Sequence, residues 1–162
     1  KHHRVFGFTK WHDPPPPTQP TWRQLIRLLL AYKGMNPDLD DIRKYQRYSW
    51  GQANGETCVI ELSGLASPNM RLEQDRATFL LRRIERIRGV LDDLKAANQS
   101  PEFIVMYGQG NRAEWEQIAG SSFDSTGPCM MGKTVAAIAP HPVTREVGNE
   151  YWVNLGRCCG AA

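Results

Sequence analysis

The sequence predicts an α/β fold of three layers, with a four-stranded parallel sheet held between helices. Three observations carry this expectation. Short apolar runs alternate with segments of helical period, in the order strand, helix, strand, helix, strand, helix, strand, helix. That alternation is the pattern of a parallel sheet with crossover helices. The runs Val59-Ile60-Glu61-Leu62, Phe103-Ile104-Val105-Met106-Tyr107 and Val135-Ala136-Ala137-Ile138-Ala139 are nearly continuous in apolar character, as strands covered on both faces are. Each candidate strand also runs into a loop rich in glycine, serine or proline. Open α/β sheets bind their ligands in such loops, beyond the carboxyl ends of the strands.

The chain opens with an aromatic strand candidate, Val5 to Phe8. Pro14 to Pro17 then force an extended stretch that ends any regular element. Thr21 is placed to cap a helix from Trp22 to about Tyr32, whose face is Leu25, Leu28, Leu29 and Tyr32. Gly34 stops it, and Leu39 to Tyr45 is a short second helix after the turn at Asn36-Pro37-Asp38. Cys58 to Leu62 is the second strand candidate. A long helix follows from about Leu72 to Ala97, with Leu80, Ile84, Ile87, Leu91 and Leu94 in steps of three and four. Arg76, Arg82, Arg83, Arg86 and Arg88 occupy its other faces, either as a solvated surface or as a stripe that follows phosphates. Phe103 to Tyr107 is the third strand. Asn111 is placed to cap a helix from Arg112 to Ala119. Ser121 to Gly132 reads as loop, Val135 to Ala139 as the fourth strand, and Glu150 to Leu155 as a last helix.

Composition bounds the rest. The 162 residues are expected to form a single domain over 1–162. Hydrophobic residues make up 41% and charged residues 23%, which excludes a disordered or collagen-like chain. No apolar run approaches the roughly 18–20 residues of a membrane span, and no secretory leader pattern is visible. A net charge of +3 permits a nucleic-acid partner without requiring one. Cys58, Cys129, Cys158 and Cys159 lack the two-residue gap of a zinc knuckle. They are expected to be free thiols in a reducing, cytoplasmic compartment. His2, His3 and His12 lie in the amino-terminal segment, where no spacing fixes a metal geometry. No metal, no other cofactor and no obligate protein partner are expected.

The strand-end rule selects Thr9 to Pro17, Ser63 to Asn69, Gly108 to Asn111 and Pro140 to Gly148. His141, bracketed by Pro140 and Pro142, is the sharpest residue among them. It either donates to an oxygen that gains negative charge or satisfies a loop carbonyl. Asp13 either activates a water or forms a turn ahead of the prolines. Gly108-Gln109-Gly110 allows close approach to a phosphate or a base edge. It is not a nucleotide-binding fingerprint, and Gly132-Lys133-Thr134 precedes a strand instead of opening a helix. Glu61 is either a functional carboxylate or an edge residue, and Ser63 either binds ligand or caps its turn. No Gly-x-Ser-x-Gly elbow is present.

The stretch Ala136-Ala137-Ile138-Ala139-Pro140-His141-Pro142-Val143-Thr144 resembles the final strand and His-Pro motif of the uracil-DNA glycosylase superfamily. Phe103 to Gly108 and Val59 to Leu65 resemble its third and second strands by position. The resemblance implies a four-stranded parallel sheet and an enzyme that flips a base out of DNA and hydrolyses its glycosidic bond. It implies that His141 stabilises the leaving base and that Asp13, in an Asp-Pro pair, positions the water. Trp11 would stack on the base, with Glu61, Ser63, Gly108 and Gln109 around it. Val143, Thr144 and Arg145 would enter the DNA. The alternative is a non-catalytic nucleic-acid or nucleotide-binding module.

Overall fold

The computed structural model describes residues 17–52, 55–62, 76–123, 127–144 and 146–161. In chain order these form α1 (Pro20–Tyr32), α2 (Leu39–Tyr48), α3 (Arg76–Ala96), β1 (Phe103–Tyr107), α4 (Arg112–Ala119), β2 (Cys129–Met131), β3 (Thr134–Ala139) and α5 (Asn149–Gly160). A 3₁₀ turn over Gln109–Asn111 precedes α4. The described residues fall into two compact units. Those up to Cys58, with Tyr107–Gln109 and the chain from Ala139 onward, make the first; Val59–Met106 and Gly110–Ile138 make the second.

The first unit is built on α1, α2 and α5. Pro20 starts α1 at a position where its missing N–H costs nothing. The cap is Gln19 and not Thr21, because the Gln19 side chain accepts from the Trp22 N–H at 2.7 Å. Asp38 and Asp41 close a capping box at the start of α2: Asp38 Oδ1 accepts the Asp40 and Asp41 N–H groups, and Asp41 Oδ2 accepts that of Asp38. α2 runs to Tyr48, three residues past the predicted Tyr45. Burial along α1 runs from Gln24 through Leu28 and resumes at Leu30 and Ala31. The apolar surface is therefore wider than the predicted stripe, since α1 packs against both α2 and α5.

The contact with α5 is close enough to need glycine. A Cβ on Gly156 would lie 2.9 Å from the Ala31 Cβ and closer still to the Leu28 carbonyl oxygen. One on Gly160 would lie 2.5 Å from the Tyr32 carbonyl oxygen. The four-residue spacing sets both glycines on one face of α5, so the two backbones approach directly.

A polar clasp holds the segment after α2. Lys33 Nζ pairs with Glu56 Oε1, and the Tyr45 hydroxyl donates to the same oxygen at 2.6 Å. The Lys33 ammonium, and after it the Tyr45 hydroxyl, hold the Glu56 carboxyl below the usual carboxylate range. A carboxyl lowered in the folded state stabilises the fold above its unfolded pKa, and that stabilisation is lost as pH falls through the folded value. Glu56→Gln is therefore expected to be less stable than wild type at neutral pH. Denaturant titrations at descending pH should show the gap narrowing below the ordinary value of 4.5. A gap that is constant or widens with acid would remove Glu56 from this role.

The second unit carries the sheet, and here the predicted four-stranded parallel sheet is corrected. Among the described residues the sheet has three strands in the order β1-β3-β2. β2 and β3 are antiparallel, with Met131 opposite Thr134 and Cys129 opposite Ala136. β1 and β3 are parallel: the Val135 N–H donates to the Glu102 carbonyl, and the Gly108 N–H to the Ala139 carbonyl, both at 2.9 Å. The sheet is therefore mixed.

Two local facts explain the correction. Residues 57–61 form no strand, because the backbone there is held by a side chain: Arg83 Nε and Nη2 both donate to the Glu61 carbonyl. Ile60 and Leu62 are apolar because they pack on the core. In turn, the predicted loop from Ser121 to Gly132 contains β2. Gly132 has φ 64° and, with Lys133, makes a two-residue hairpin of the kind that places glycine first. The predicted strand at Val5 to Phe8 lies outside the described residues.

β3 is buried at all six positions, as expected of the central strand. Ala136 and Ile138 meet Met106 of β1, Ile84 and Ile87 of α3, and Trp115 of α4 in one core. Burying each Ile side chain contributes about 1.5–3 kcal/mol. Glu116 Oε1 accepts from the Phe123 N–H and from Arg112 Nε, which draws the chain after α4 back so that Phe123 enters this core. No described helix is long and apolar enough to cross a membrane.

Candidate functional site

Two neighbouring strand ends build the site. Tyr107 closes β1, and Gly108 follows with φ 89°, a conformation that favours glycine. Its N–H bond to the Ala139 carbonyl extends the parallel ladder by one residue and pins the two chain exits side by side. Gln109 then opens the 3₁₀ turn and is exposed.

Beyond Ala139 the chain turns sharply. The Thr144 N–H donates to the His141 carbonyl at 2.9 Å. The Val143 N–H donates to His141 Nδ1 at 3.4 Å. Pro142 is buried, which anchors the turn, while His141 and Val143 are exposed. Edge-to-face packing against Tyr107, with ring centroids 5.7 Å apart and planes at 74°, steadies the imidazole. With Nδ1 accepting, the neutral ring carries its proton on Nε2. The exposed ring therefore presents a hydrogen-bond donor at the strand ends.

The structure thus brings His141, Gly108, Gln109, Val143 and Thr144 to one place in the first unit. Glu61 belongs to the second unit, where its side chain is exposed and its carbonyl is held by Arg83. Asp13, Trp11, Ser63 and Arg145 lie outside the described residues. Gln109 is the described amide that follows the neighbouring strand.

Tyr107 is a site residue that sequence reasoning passes over. It reads as the last interior residue of a strand; its position directly before Gly108 was the available signal. On α3, Arg82, Arg86 and Arg88 are exposed, whereas Arg83 is spent on Glu61. Arg82 and Arg86 are four residues apart, a like-charge spacing that weakens a helix. Asp92 and Asp93 sit toward its carboxyl end, opposite to what the helix dipole favours. On the same helix Glu85 lies three residues from both Arg82 and Arg88, and Arg88 four from Asp92, spacings at which opposite charges support a helix.

Among the described residues no three His, Cys, Asp or Glu side chains cluster as metal ligands. Burial, and then the neighbouring Cys158, push the Cys159 thiol up to about 11. Set beside known proteins, the chain matches no family model, no curated protein and no solved structure.

Proposed function

We propose that the strand-end loops bind a base of DNA, with His141 donating its Nε2–H to a carbonyl oxygen of that base. The observation that carries this reading is the acceptor role of His141 Nδ1, which fixes the donor tautomer on an exposed ring. Gly108 and Gln109 would border the base, and Val143, Thr144 and Arg145 would contact the strand around it.

Excision of the base is the chemistry this donor serves. When the glycosidic bond breaks, the base leaves as an anion and charge collects on its carbonyl oxygen. A donor aimed there binds more tightly in the transition state than in the ground state. Water adds to the sugar carbon, and the resemblance assigns its positioning to Asp13. The free thiols of Cys58, Cys158 and Cys159 support a reducing, cytoplasmic setting.

A second reading is a binding module without catalysis. It is favoured by the mixed three-stranded sheet, which departs from the architecture the resemblance implies; fold and chemistry are separable. One experiment divides the two. Oligonucleotides carrying uracil, hypoxanthine or a mismatch are incubated with wild type and with His141→Ala. Excision by wild type that falls about 10²–10³-fold in the variant, as loss of one such donor does, supports the enzyme. Intact strands together with salt-dependent DNA binding support the module. A chain that neither cleaves nor binds DNA overturns both readings.

A further inference from the structure

Gln46 shares the buried face of α2 with Ile42, one turn earlier, and is itself fully buried. An amide at such a position costs stability unless it is hydrogen-bonded. The bond it makes reaches the chain that leads into α1. Gln46 Nε2 donates to the Pro17 carbonyl at 2.9 Å, and Pro17 is the last residue of the run Pro14 to Pro17.

A second donor belongs to the same set of contacts. Trp50 follows α2, with its backbone N–H bonded to the Tyr45 carbonyl at 2.9 Å. Its ring lies against Trp22 of α1, centroids 6.5 Å apart and planes at 52°. Trp22 is tied back in turn, its backbone N–H donating to the side chain of Gln19, two residues after Pro17. Pro17, Gln19, Trp22, Gln46 and Trp50 thus meet where the proline run enters α1. Trp50 is only 7% exposed, and its buried Nε1 has no hydrogen-bond partner among the described residues.

Proline lacks an N–H, so a run of prolines offers hydrogen-bond acceptors alone. In the polyproline conformation none of those acceptors is used internally. Two donors stand against them here: the Gln46 amide, already on the last carbonyl of the run, and an indole, which can only donate. Aromatic-lined grooves are what proline-rich segments dock into. We infer that Trp22, Gln46 and Trp50 form a docking site for a polyproline segment, and that its occupant is the chain's own Pro14 to Pro17. Trp50 Nε1 then donates to a carbonyl of the three prolines that precede Pro17. The occupant follows from where the described chain begins, since Pro17 is its first residue and is already held by Gln46. A stiff run loses little conformational freedom on docking. The inference stands independently of His141.

The test uses the full chain with Pro14→Ser, Pro15→Ser and Pro16→Ser combined, and a hexaproline peptide as the probe, followed by indole fluorescence. The triple variant is expected to bind hexaproline saturably. Wild type should bind it at least about tenfold more weakly, because a tethered run competes at an effective concentration on the order of millimolar. Adding Trp50→Phe to the triple variant keeps an aromatic ring and removes the donor. That change should weaken peptide binding by up to about tenfold, the worth of one hydrogen bond, with the helical signal unchanged. Hydrogen exchange of the Trp50 indole N–H needs no added peptide and should be slower in wild type than in the triple variant. A triple variant that ignores hexaproline, or equal indole exchange in the two proteins, overturns the inference. Equal hexaproline affinity in wild type and triple variant also overturns it, and gives the face to a proline-rich partner in trans.

Discussion

Replacing Trp152 by Ala is expected to lower folding stability by about 3–5 kcal/mol, the usual cost of truncating a buried aromatic ring. Trp152 is fully buried and packs edge-to-face on Tyr151 at 5.4 Å between ring centroids. It fills the first unit from α5, so truncation leaves a cavity that rigid helix backbones cannot close. Small domains are stable by only about 5–15 kcal/mol in all, so this one change removes a large share. Trp152→Phe is the informative companion. The indole Nε1 is buried without a hydrogen-bond partner, so Phe forfeits volume but no hydrogen bond, and it removes an unsatisfied donor. Urea titrations should therefore place Phe much nearer to wild type than to Ala. Equal losses for the two variants would mean that the indole nitrogen has a partner in solution.

Gly156→Ala is the second large effect. On propensity alone the change stabilises a helix by about 1 kcal/mol. In α5 the new methyl meets the Leu28 carbonyl, the Ala31 side chain and, at 3.0 Å, the Tyr32 amide nitrogen. Two of these three contacts are backbone, so relief requires α5 to move off α1. Overpacking of this kind costs about 1–3 kcal/mol, and the sign of the substitution reverses. Gly89→Ala is the control. Gly89 lies within α3, and a Cβ there meets nothing within 4 Å, so this change should stabilise by up to about 1 kcal/mol. Thermal unfolding of the two variants should bracket wild type. If both raised the midpoint, the close approach of α1 and α5 would be refuted.

These predictions rest on features of differing visibility in the sequence. The strands at Phe103–Tyr107 and Thr134–Ala139 were legible because runs of five consecutive apolar residues ending at Gly or Pro have few other uses. The strand-end rule then pointed to the loops that carry Gly108 and His141, which follow β1 and β3. The same reasoning misled at Val59 to Leu62. Leu62 is buried and Ile60 partly so, and burial in an irregular segment leaves the same letters as burial in a strand. β2 was hidden for the opposite reason. Three residues, Cys129 to Met131, carry no period of their own, and their strand character comes from β3 across Gly132 and Lys133. Arg27 interrupts the apolar run from Leu25 to Leu30, and its Nη1 donates to Asn149 Oδ1, 122 positions away, beyond the reach of any local pattern.

What the sequence by itself determined is therefore local. It set where helices begin and end, through Pro20, the Asp38–Asp41 capping box and the left-handed Gly120 after α4. It also set which turn leads into β3, and which residues occupy the exits of β1 and β3. Each of these depends on backbone preferences within a few positions. The tertiary structure decided how many strands pair and in which direction, which neutral amides receive Arg27, and how closely α5 lies on α1. Those outcomes depend on groups far apart in the chain. Backbone N–H and C=O groups can pair with a parallel or an antiparallel neighbour, and a C=O can instead accept from an arginine, as at Glu61; only the assembled packing chooses among them.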